Sequence, residues 1–180
     1  MKLIQVPISG LISVSTSGTN VAEAMKVTDP ARTNRLKVIE GALTVEYQLN
    51  AVILYYFFGA SHEKRDTFES IVLNSDWCSF AAKRKLIRHI INEQKLLEGQ
   101  AKDEFDKLIG KVMSVRNAFT HGRLSSDEKR VWLSYFEGTP RQQELTDEYL
   151  TEIEILLREA VSKALALAVK IGAKKPAENS

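Results

Sequence analysis

Phe105-Asp106-Lys107-Leu108-Ile109-Gly110-Lys111-Val112-Met113-Ser114-Val115-Arg116-Asn117-Ala118-Phe119-Thr120-His121-Gly122 is the stretch whose reading decides the fold. At about 100° per residue, Phe105, Leu108, Ile109, Val112, Val115 and Phe119 fall on one stripe. That periodicity predicts a helix over roughly 102–121 with this stripe as its core face. A second stripe, Asp106, Gly110, Met113, Asn117 and His121, lies about 130–150° round. Glycine costs about 1 kcal/mol in a helix interior. Gly110 therefore predicts the close approach of another backbone, and the second stripe could face a second subunit. Gly122 is placed to be the residue that ends the helix in a left-handed turn.

Working outward, Asp29-Pro30 reads as a helix start, an N-cap residue followed by proline at the first helical position. This helix should reach Phe58 and stop at Gly59. Its second half, Val45 to Phe58, is apolar nearly all round with Glu46, Gln48 and Asn50 embedded, as in the central helix of a bundle. A second helix is expected over Glu63 to Leu73, stopped by Asn74-Ser75-Asp76. A third should run from Ser79 to about Gly99, with Phe80, Leu86, Ile87, Ile90, Ile91 and Leu97 at helical spacing. Beyond His121 the period changes. Val131 to Phe136 alternates like a strand, Glu137-Gly138-Thr139-Pro140 is a turn, and Arg141 to Leu145 can pair back. Thr146 caps a last helix from Asp147 to about Ile171. Residues 1–28 read as an extended arm or short hairpin, and the chain from Ala173 as a disordered tail. The fold expected is all-α: a single domain over 29–172, a bundle of four to five helices with a small β-hairpin insert near 131–145.

The 180 residues suffice for one real core, and 44% hydrophobic with 27% charged is ordinary for a soluble domain. A net charge of +2 argues against a dedicated high-affinity DNA binder. The single cysteine, Cys78, allows no internal disulfide and fits a reducing cytoplasm. Nothing near it in sequence identifies an activating base, so it reads as a packing residue. Met1-Lys2-Leu3-Ile4 runs into Gln5 and Pro7 and does not resemble a signal peptide. The apolar run Ala51 to Phe58 is far short of the roughly 20 residues of a membrane span. A soluble cytoplasmic protein with no membrane partner is expected. His62 and His89 lack metal-ligand spacing, and there is no Gly-rich phosphate loop or nucleophile elbow, so no metal or cofactor is expected.

The chemistry concentrates in Arg116 and His121. Arginine offers a fork of donors matched to phosphate oxygens, and histidine can both take and give a proton near neutrality. The two lie about 140° apart on the helix, so one copy cannot easily aim both at one atom. Two copies crossing about a twofold axis could. Each residue also has a structural reading. Arg116 borders the core stripe and could pair with Glu46 or Glu40 on the first long helix, and His121 could serve the last helix carbonyls. Asn117 could hydrogen-bond along the helix. Elsewhere, Lys83-Arg84-Lys85 with Arg88-His89 forms the densest basic cluster, either an RNA-backbone track or a solvated helix face. Trp132, Tyr135 and Phe136 could stack bases or pack over the helices.

Arg116-Asn117-Ala118-Phe119-Thr120-His121-Gly122, on a late helix of an α-bundle, resembles the HEPN superfamily, whose motif is Arg, four to six residues, then His, with Asn often directly after the Arg. The likeness covers roughly residues 30–170, although its specific part is this one motif. It implies a helical bundle that dimerises so that both motifs meet in one cleft. It also implies a metal-independent endoribonuclease of the kind found in toxin–antitoxin and phage-defence systems, with an antitoxin or defence protein as further partner. Other members are catalytically inactive nucleotide- or RNA-binding or interaction modules, and that is the alternative. By resemblance His121 exchanges the proton, Arg116 stabilises the transition-state charge, and Asn117 orients the phosphate or imidazole. Arg123 stands where one branch of the family has a tyrosine, and could add a phosphate contact. Lys83 and Arg84 are further candidate phosphate contacts, with Glu46 the candidate partner of Arg116.

Overall fold

The computed structural model describes residues 21–60, 62–126 and 130–174. Five α-helices are found there: α1 (Val21–Phe58), α2 (Arg65–Phe68), α3 (Phe80–Glu93), α4 (Gly99–His121) and α5 (Asp147–Lys174). Three strands, β1 (Arg123–Ser126), β2 (Val131–Glu137) and β3 (Thr139–Glu144), make one antiparallel sheet in the order β1-β2-β3. The chain is mainly helical, with a sheet of three strands where a two-stranded hairpin was expected. Most of the expected arm and tail lies outside the described residues; residues 21–28, and Ala173 with Lys174, are helical. No helix among the described residues is long and apolar enough to cross a membrane.

Asp29-Pro30 does not start α1. The helix is already formed at Val21, and Pro30 sits inside it. Proline there lacks the N–H that would bond the carbonyl four residues back. Thr33 donates its hydroxyl to the Asp29 carbonyl at 3.1 Å, so this turn carries a side-chain bond as well as the backbone ladder. The sequence 22–26 explains the extension: Ala22, Glu23, Ala24, Met25 and Lys26 are all strong helix formers. Nor is α1 apolar-buried all round. Val38, Ala42, Val45, Leu49 and Val52 make a buried stripe at alternating spacings of three and four, whereas Tyr47 is 62% exposed and Phe57 49%.

Residues 21–41 and Ser114–Ile155 make one compact unit; Ala42–Met113 and residues 156–174 make another. In the second unit, α2 continues into a wider π-turn over Glu69–Leu73, closed by the Asn74 N–H on the Glu69 carbonyl at 2.9 Å. Ser79 caps α3 by accepting from the Ala82 N–H at 3.2 Å. α3 ends at Glu93, earlier than expected, because Lys95 turns left-handed (φ 48°) and the Leu96 N–H bonds back to Ile91. Gly99 thus opens α4 rather than closing α3. Lys170 and Lys174 of α5 donate to the carbonyls of Leu96 and Gln94, holding this connection.

The first unit contains the sheet. Leu124 opposes Leu133, and both are buried with Val131, so this face of the sheet points into the unit's core with Phe119 and Ile153. Burial of each such side chain stabilises the fold by about 1.5–3 kcal/mol. Gly138, at φ +69°, reverses the chain between Glu137 and its partner Thr139. The Leu145 N–H closes the sheet on the Val131 carbonyl at 2.8 Å. Thr146 then caps α5, its hydroxyl accepting from the Tyr149 N–H at 3.2 Å.

Candidate functional site

α4 stays helical through His121, so the separation of about 140° between Arg116 and His121 holds. The core stripe is as expected: Phe105, Leu108, Ile109, Val112 and Phe119 are buried, Val115 half-buried. That burial fixes the rotation of the helix and turns Asn117 and His121 outward, where both are exposed. Arg116 is half-buried. Its one hydrogen bond among the described residues is a long one, Nη1 to the Asn117 Oδ1 at 3.4 Å. No ion pair of Arg116 is found among the described residues, and Glu46 is bound by Lys83.

The last turn of α4 is held by a residue the sequence reading missed. Arg35, on α1, donates from Nη2 to the Thr120 carbonyl at 2.9 Å. Burial pulls the Arg35 guanidinium below its usual pKa, a measure of how far this contact is withdrawn from water. The role that His121 could have taken, serving the terminal carbonyls, is thus filled from another helix. His121 has no hydrogen-bond partner among the described residues, and its imidazole is open. The only sequence signal for Arg35 is a basic residue on a helix face, which names no acceptor. Between the two motif residues, the Thr120 hydroxyl is buried without a partner among the described residues, at a cost of about 1–3 kcal/mol.

Gly122 is not a left-handed cap. Its N–H continues the helical pattern to the Ala118 carbonyl at 2.8 Å, and its φ is not among the positive values. A Cβ there would run into the Ala118 carbonyl of α4 and into β2, 2.7 Å from the Leu133 Cδ1 and 3.1 Å from the Ser134 carbonyl. Gly110 is likewise explained within the chain. The guanidinium of Arg84 lies across it, 3.1 Å from where a Cβ would be. Asp106, one turn earlier, holds that guanidinium by two bonds of 3.0 and 2.8 Å. The lower part of the second stripe is therefore covered by α3, and no second backbone is needed there.

The remaining candidates separate clearly. Lys83 is buried at 2% exposure and bound to Glu46 at 2.5 Å, so it offers nothing to a phosphate, and Glu46 nothing to Arg116. Arg84 is engaged by Asp106, with Arg88 a further 3.7 Å from the same carboxylate. His89 pairs with Glu93 at 3.0 Å, and His62 accepts the Lys64 N–H at 3.1 Å. Cys78 is half-buried. Four members of the basic run on α3 are thus engaged by carboxylates, while Lys85 is exposed. Arg123, by contrast, is exposed on β1, two residues beyond His121.

No family model, curated protein or solved structure matches the chain. The site is read from its own geometry. It offers one open imidazole, one guanidinium without a carboxylate partner among the described residues, the Asn117 amide between them and Arg123 just beyond. Such a set can bind an anion and move a proton. It does so from two faces of one helix.

Proposed function

We propose that the chain is a HEPN-like endoribonuclease that works as a homodimer, with Arg116 and His121 of two copies facing one phosphate. The observation that carries this reading is the half-buried Arg116 guanidinium without a carboxylate partner among the described residues, on the same helix end as the open imidazole of His121. Lys83, Arg84, Arg88 and His89 are engaged by carboxylates, while Arg116 and His121 have none among the described residues. A charged group left without a carboxylate at the edge of a core is costly unless it has a partner. A substrate phosphate is a partner of the right geometry.

In this mechanism an RNA 2′-hydroxyl attacks the adjacent phosphorus. The new P–O2′ bond forms as the P–O5′ bond breaks. His121 of one copy takes the 2′-hydroxyl proton, and water gives a proton to the leaving 5′-oxygen. Arg116 stabilises the extra negative charge of the transition state, and Asn117 orients the phosphate. The need for a 2′-hydroxyl makes the enzyme selective for RNA over DNA. A role in toxin–antitoxin or phage defence, with an antitoxin or defence partner, belongs to the same proposal.

The test is cleavage of varied RNAs in EDTA by wild type, His121→Ala and Arg116→Ala. Both substitutions are expected to lower the rate by at least about 100-fold with folding intact. Absence of cleavage by the wild-type protein across those RNAs would contradict the reading and leave a non-catalytic binding module.

A further inference from the structure

The sheet has two faces of opposite character. Leu124, Val131 and Leu133 fill the inner one. Directly opposed residues of an antiparallel ladder share a face, so the outer one carries Trp132, Ser134 and Phe136 of β2. Arg123 stands opposite Ser134 on β1, with Gln142 opposite it on β3. Phe136 is 75% exposed, among the most exposed large apolar side chains of the described residues. Trp132 is half-buried, with the Arg130 guanidinium 5.1 Å from its ring centroid. Tyr135 points the other way and is half-buried, so the three aromatics of this strand do not act together.

We propose that this outer face binds an unpaired nucleic-acid strand, its bases stacked on Trp132 and Phe136 and its phosphates drawn by Arg123. The two rings are four residues apart on one strand, about 13 Å by strand rise. A polar row, Arg123-Ser134-Gln142, runs between them. That layout does not make the contiguous apolar patch that a protein partner buries. It presents two separate rings, Trp132 with Arg130 over one face and Phe136 open, and the exposed Arg123 between their rows, which suits bases spaced along a polyanion. The one acid on this face, Glu144 opposite Trp132, is half-buried at the edge farthest from Arg123. Arg123 follows His121 by two residues, so the platform begins where the proposed catalytic helix ends. A duplex cannot offer its bases in this way. The choice of RNA over DNA rests on the ribonuclease reading; the stacking itself does not.

The chain has two tryptophans, Trp77 and Trp132, so Trp77→Phe leaves Trp132 as the sole indole reporter. That change is combined with His121→Ala to keep the RNA whole. The protein is titrated with a single strand of about 12 mixed nucleotides, and with its duplex. Saturable quenching of Trp132 is expected with the single strand, and binding at least about tenfold weaker with the duplex. Phe136→Ala should weaken binding about 5- to 100-fold, and Arg123→Gln should lower the salt slope by about one. Unquenched Trp132, or an affinity within about twofold after Phe136→Ala, would overturn the proposal. Cleavage by the wild-type protein with Trp132 unquenched would overturn the platform alone. Quenching without any cleavage would overturn the catalytic reading alone.

Discussion

Gly122 sets how tightly the motif helix meets the sheet. Its missing side chain lets the backbone of α4 pass under Leu133 and Ser134, and the atoms it would strike include two backbone carbonyls that cannot move aside. Gly122→Ala should therefore cost about 1–3 kcal/mol by overpacking. The check is a lower urea midpoint with an unchanged slope; an unchanged midpoint would show that β2 can give way. At Gly110 the neighbour is the guanidinium of Arg84, the far end of a flexible side chain. Gly110 stood out in the sequence as a departure from helix propensity, and Gly122 as the residue expected to end the helix. Which neighbour from another element each one admits was not legible, because it depends on residues 11 or more positions away and, for Gly110, on a charge run that looked solvated.

Among the elements, the starts of α3 and α5 were legible, and the start of α1 and the end of α3 were not. Thr146 caps α5 as read, and α3 starts from Ser79, which proves to be its cap, because capping is decided within four residues. The hairpin of β2 and β3 was legible for the same reason. β1 was not: its four residues bury only Leu124, too little for a period of two to be seen. The proline of Asp29-Pro30 misled because helix-forming residues precede it. Lys83 shows the other limit, since a basic run gives no hint that one member turns inward. Lys83→Met leaves Glu46 unpaired and should cost about 3–5 kcal/mol. Lys83→Met with Glu46→Leu should recover most of that loss, measured by denaturant unfolding; a double variant as unstable as the single would contradict the pairing.

The start of α5 makes a pH-dependent contribution. Burial, followed by the charges of Tyr135, Glu137 and Glu152, holds the Tyr149 phenol above its usual pKa. A phenol raised in the folded state contributes stability that is fully present below its unfolded value, about 10, and is lost as pH rises through the folded value. Stability should therefore fall above about pH 10, and Tyr149→Phe should flatten that fall in alkaline thermal melts. An unchanged alkaline slope would place the effect elsewhere.

On the scale of the whole molecule, the candidate site was legible as a pair of residue types and a helical angle. The structure adds which cations are already engaged and which helix holds the Thr120 carbonyl in the motif's last turn. Because α4 is helical through His121, Arg116 and His121 of one chain face different ways. The central claim is that a working site takes arginine from one copy and histidine from another. Mixing Arg116→Ala with His121→Ala protein, under conditions that let subunits exchange, tests it directly. Each variant alone should be inactive on RNA in EDTA. A mixed dimer rebuilds one of its two sites, so the mixture should regain about a quarter of wild-type cleavage after random exchange. A mixture that exchanges subunits yet stays as inactive as its parents, beside an active wild type, would contradict the claim.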